Sequence, residues 1–123
     1  MPIMRLYEMI LIEIEAKARM GDEASAASLL YELQKNRDPN AIKSDNKGED
    51  LIEEILLERR KELYGEIGVE WYDAKRLRKG MTRTGNHRIL LNLIPDDKKF
   101  FLKIPQNEID ANENIDASVN ANR

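Results

Sequence analysis

The chain has 123 residues, 20 basic and 23 acidic side chains, a net charge of −3 and no cysteine, which is the size of one domain and excludes several chemistries. Bulk charge of that sign does not draw nucleic acid or an anionic membrane surface, and without thiols there is no disulfide, cysteine zinc site or thiol catalysis. No signal-peptide core and no apolar run near the roughly 20 residues that span a bilayer are present, so the chain reads as soluble.

Residues 3 to 20 carry helical periodicity on two sides. Ile3, Leu6, Tyr7, Ile10, Leu11, Ile14 and Ala18 make a broad face, and Met9, Ile12, Ala16 and Met20 make a second stripe. Apolar on two sides, such a helix is expected to be wedged between neighbours in a core. Gly21 ends it, and Asp22 caps a second helix whose buried stripe is Ala26, Leu29, Leu30 and Leu33, with Ala24, Ala27 and Tyr31 beside it. That helix stops by Asp38, because Pro39 disfavours helix in the residue before it. Residues 1–39 therefore predict a helical hairpin. Gly21, Ala26, Leu30 and Pro39 give it a tetratricopeptide-like rhythm, although one such unit does not bury a repeat-array core alone. The two stripes of the first helix ask for more neighbours than the chain supplies, so the isolated chain is expected to self-associate.

After a polar connection over residues 40–47, a pair of helices is predicted over residues 48–79. The first buries Ile52, Ile55, Leu56 and Leu63, and Arg59 falls inside that stripe. An arginine there needs a carboxylate to meet it, with Glu66, Glu15 and Asp73 the candidates in that order. Acidic residues open the helix and Arg59-Arg60-Lys61 lie near its end, the order its dipole favours. Gly65 and Gly68 break it, and a short second helix begins near Val69 with the single tryptophan, Trp71, beside Tyr72. Helix neighbours point about 100° apart, so these two rings form no flat platform and at least one turns inward.

Farther on, Ile89, Leu91 and Leu93 alternate with their neighbours, Pro95-Asp96-Asp97 interrupts, and Phe100, Leu102 and Ile104 follow at period two. This predicts a β-hairpin over residues 86–105 that must lean on the helices. Residues 106–123 form a tail anchored by Ile109 and loosely held beyond Ile115. The fold class is thus mainly α: a tetratricopeptide-like hairpin, further helices and a small carboxy-terminal β-hairpin.

Enzymatic chemistry finds no residues to carry it. The sequence lacks a glycine-rich phosphate loop and a nucleophile elbow, and its one histidine, His87, sits in a polar loop as a solvated side chain. No catalytic residue, metal ligand or cofactor site is assigned. The many carboxylates read as solvated helix faces rather than a glycosidase pair.

Three stretches carry a resemblance. Glu58-Arg59-Arg60-Lys61-Glu62-Leu63, Glu66 and Trp71-Tyr72-Asp73-Ala74-Lys75-Arg76 resemble the carboxy-terminal signature of the SusD/RagB family of nutrient-binding outer-membrane lipoproteins. Glu8 to Gly21 resembles the first helix of that part. Ile104-Pro105-Gln106-Asn107-Glu108-Ile109, with Asn112 and Asn114, resembles the family's closing segment. The departures are Ile67 between Glu66 and Gly68, Glu70 before the aromatic pair, Glu13 and Ile14 in the helix, and Glu113 between the asparagines. The resemblance implies tetratricopeptide-like helix pairs, attachment at the outer-membrane cell surface and a partner transport barrel. It also implies an oligosaccharide or other nutrient bound mainly by segments absent here, since family members are several times longer. Ligand-binding residues of this chain stay unassigned, and a free-standing helical interaction module without a small-molecule ligand is the alternative.

Overall fold

Leu11, Ile14, Leu30, Leu51 and Ile55 are closed to solvent, and together they join three helices. The computed structural model describes residues 5–66, 68–86 and 88–121; Ile3, Ile67 and His87 lie outside them. The chain forms two compact units, Met1–Val69 and Glu70–Arg123.

The first unit contains α1 (Leu6–Arg19), α2 (Glu23–Arg37) and α3 (Gly48–Glu62). The α1–α2 turn follows the expected chemistry. Gly21 has φ +89°, the Asp22 N–H donates to the Lys17 carbonyl at 2.9 Å, and the Gly21 N–H donates to that of Ala18 at 3.1 Å. These bonds close a Schellman turn that only a residue tolerant of the left-handed region forms without strain. The Asp22 carboxylate then accepts from the Ser25 N–H, capping α2. Ala18, Ala26 and Ala27 are buried, and their small side chains leave room for Leu11, Ile14, Leu30 and Leu33. Asp38 is extended ahead of Pro39 and ends α2.

Two features of this unit differ from expectation. The second stripe of α1 is not covered: α2 and α3 both pack on the broad face, and Met9, Ile12, Ala16 and Met20 are exposed. Arg59 is buried as expected, at 8% exposure, and Glu8 on α1, which was not among the expected partners, meets its Nη2 at 3.3 Å. Glu66, the first candidate, binds Arg5 instead. Asp73 pairs with Arg76 one turn along its own helix.

The second unit contains all but the first residue of α4 (Val69–Arg76), strands β1 (Met81–Arg83) and β2 (Leu91–Leu93), a 3-10 turn at Lys98–Phe100, α5 (Gln106–Ala111) and a 3-10 turn at Ala117–Asn120. The strands are antiparallel, with Met81 opposite Leu93 and Arg83 opposite Leu91. The small sheet exists, but the hairpin expected over residues 86–105 does not. Asp97 accepts from the Lys99 N–H at 2.9 Å and starts a 3-10 turn, so Pro95-Asp96-Asp97 opens a helical turn rather than reversing a strand. Of the apolar residues at period two, Phe100 is buried while Leu102 is 83% exposed, so the segment has no buried face to hold it as a strand. The true partner, Met81-Thr82-Arg83, has a single apolar residue and no sequence period.

Gly80 is essential to that pairing, because a Cβ there would stand 2.2 Å from the Leu93 carbonyl oxygen. The closing segment returns to the end of the second unit at Asn120. The Asn120 side chain accepts from the Ile104 N–H at 2.9 Å and donates to its carbonyl at 3.0 Å.

Replacing Arg59 with methionine is expected to lower stability by about 3 kcal/mol, the low end of the range for breaking a buried pair, because Glu8 retains some solvent access. Urea denaturation followed by circular dichroism measures it. Gly80→Ala is expected to cost about 1–3 kcal/mol and to abolish slow exchange of the β1–β2 amides, since the added methyl would collide with backbone rather than a movable side chain.

Candidate functional site

The residues singled out in the sequence fall into two groups. The first surrounds the end of α3. Glu62 has a side chain only 6% exposed and receives two guanidinium groups: Arg5 Nη2 at 2.6 Å and Arg37 Nη2 at 2.6 Å, with Arg37 Nε at 3.1 Å on its other oxygen. Arg5 reaches on through Nη1 to Glu66 Oε1 at 2.6 Å. The Arg37 guanidinium also lies over the Tyr7 ring, 4.5 Å from its centroid. Hydrogen bonding to Glu62 and the charge of that carboxylate hold Arg37 protonated more firmly than an ordinary arginine.

A carboxylate so nearly enclosed is tolerable because charged donors satisfy it in directed pairs. Arg5 precedes α1 and Arg37 ends α2, so this one acceptor draws both helices to the end of the third. Glu58, one turn earlier, is buried as well and accepts from Gln34 at 3.4 Å and Lys61 at 3.3 Å. Glu54 holds the 40–47 connection by accepting from Ser44 Oγ and Asn46 Nδ2. Each carboxylate along this face therefore performs a structural task.

The second group is the aromatic pair. The Trp71 ring packs against Phe100, with centroids 4.8 Å apart and planes inclined at 48°, and Ala74 and Leu91 join it beside Met81 and Leu93. Tyr72 points away and is 65% exposed. The roughly 100° offset of helix neighbours thus lays one ring, half-buried, against the small core and sends the other to solvent. Lys75 covers the outer Phe101 ring at 5.0 Å. The closing segment is built from local turns, in which Asn112 Oδ1 accepts from the Asn114 N–H at 3.1 Å and Asn112 Nδ2 donates to Glu108.

Among the described residues no group of three or more His, Cys, Asp or Glu stands close enough to hold a metal ion. Sequence reasoning missed Arg5 and Arg37 as partners of the α3 carboxylates, and Tyr7 as the ring beneath Arg37. Arg5 and Glu62 are 57 positions apart, and no local pattern links them.

A sequence model of the SusD family matches residues 1–120, so the match includes α1, the α3 carboxylates, the aromatic pair and the closing turns. The chain belongs to the SusD family. No curated protein and no solved structure matches it. SusD proteins are nutrient- and glycan-binding proteins of the cell surface, and the family is one of binding proteins and lipoproteins rather than enzymes. Among the described residues no helix is long and apolar enough to cross a membrane. In this SusD chain the signature residues Arg59, Glu62, Glu66 and Trp71 face protein partners, and Tyr72 is the signature aromatic presented to solvent.

With a single tryptophan, the packing is directly observable. Phe100→Ala is expected to shift Trp71 emission to longer wavelength and to cost about 3–5 kcal/mol in its surroundings, whereas Tyr72→Ala leaves emission and stability nearly unchanged. Steady-state fluorescence during a denaturant titration distinguishes the two.

Proposed function

We propose that this SusD-family chain forms the scaffold portion of a cell-surface glycan- or nutrient-binding lipoprotein that works with an outer-membrane transport barrel. The supporting observation is the use of the signature residues themselves. Glu62 and Glu66 are engaged by Arg5 and Arg37, Arg59 by Glu8, and Trp71 by Phe100, so of the signature residues these are committed to packing. The nutrient is held mainly by segments other than these, and the barrel is the partner that family membership brings to the proposal.

Calorimetry of the 123-residue chain against a panel of oligosaccharides tests the scaffold reading. The expected result is a dissociation constant weaker than about 1 mM, equivalent to roughly −4 kcal/mol, for every sugar. A micromolar constant lost in Tyr72→Ala would instead locate a binding site on this chain. Loss in Trp71→Ala alone, with its fold intact by circular dichroism, would contradict the assignment of that ring to the core.

A further inference from the structure

From Ala74 to Pro95 the chain carries Lys75, Arg76, Arg78, Lys79, Arg83 and Arg88 and no acidic residue, a local excess of cations that the net charge of −3 conceals. Four of them are engaged: Arg76 pairs with Asp73, Arg78 with Asp96, Lys75 covers the Phe101 ring, and Lys79 has a partner of its own. Arg83 and Arg88 differ. Both are exposed, and among the described residues neither guanidinium has an ion-pair or hydrogen-bond partner. Arg83 stands opposite Leu91 at the end of the sheet away from the buried Met81–Leu93 pair, and Arg88, Ile89 and Leu90 lead into β2 just beyond that last pair. Ile89 is 72% and Leu90 71% exposed. A single exposed aliphatic side chain is ordinary. Here two stand side by side, with an uncompensated cation before them and another across the ladder.

A specific protein interface uses about 20–30 residues a side, far more than this short tip offers. A bilayer surface asks for less. Its phosphates lie at the level where a guanidinium makes paired hydrogen bonds, and its acyl chains begin just beneath, where aliphatic side chains gain by leaving water. Nucleic acid or free phosphate would engage the arginines and leave Ile89 and Leu90 wet. We propose that Arg83, Arg88, Ile89 and Leu90 form a membrane-docking tip that binds the phosphate-bearing surface of a lipid bilayer. The proposal stands independently of the glycan-binding reading and of the transport barrel.

Co-sedimentation of the 123-residue chain with vesicles tests it, using phosphatidylcholine alone and an equal mixture of phosphatidylcholine and phosphatidylglycerol. The chain is expected to bind the mixed vesicles about 10-fold more tightly than the neutral ones. Ile89→Ser/Leu90→Ser should weaken that binding about 10-fold, and Arg83→Gln/Arg88→Gln should remove the preference for the mixture, each with its helical signal unchanged, since all four side chains already face solvent. Leu90→Trp places a reporter at the tip: its added emission should move to shorter wavelength on mixed vesicles and be quenched by brominated acyl chains, while Trp71 of the parent chain is not quenched. Failure to bind the mixed vesicles would overturn the proposal and leave the tip to a protein partner. So would binding indifferent to either double variant, which would put the contact on another surface, or binding without quenching at residue 90, which would reduce it to adsorption of charge.

Discussion

Arg59 sits on the same face of α3 as Ile55 and within reach of Glu8, and the burial of its guanidinium constrains the whole helical unit. Removing such a group from water costs several kcal/mol unless a carboxylate meets it with good geometry. α1 must therefore run where Glu8 faces α3, which sets its rotation and brings Leu11, Ile14 and Ala18 onto α2 and α3. Arg5, one turn before Glu8, then lies against Glu62 and Glu66. The hydrophobic cluster supplies the driving force, and the ion pairs select one register among those that bury similar area.

The same selection explains why the family signature is dense in charge yet serves as scaffold. Glu58, Arg59 and Glu62 fall at positions that a helix burying one face would fill with leucine, and each is satisfied by a partner far away in sequence or one turn off. A charge that must find a distant partner is harder to replace than a hydrophobe that needs only matching volume. Persistence of such residues in a motif follows from packing alone, without contact to a ligand.

The helical unit was largely legible because its signals are local. Gly21 and Asp22 mark the turn, Pro39 the stop, and Leu51, Ile52 and Ile55 the buried face. The burial of Arg59 followed from its place in an apolar stripe, but Glu8 as a partner did not, because it is 51 positions away and nothing in the period marks it. In the second unit the short β1 strand has one apolar residue, while the more regular Phe100 run became a 3-10 turn through one side-chain bond from Asp97. Period two is weak when elements are three residues long. The inward turn of Trp71 was half legible: helix geometry required that it and Tyr72 diverge, and only Phe100 decides which goes in.

Glu62 accepts from helices α1 and α2 through two separate arginines, and this makes the junction redundant. If Arg5 is lost, Arg37 still neutralises the enclosed carboxylate, and the reverse holds equally. The two arginines are therefore energetically coupled, and the penalty for losing both exceeds the sum of the single losses. Such a junction tolerates the loss of either arginine while the other is kept, so the enclosed carboxylate is the member of the trio that cannot be exchanged alone without leaving two cations facing each other.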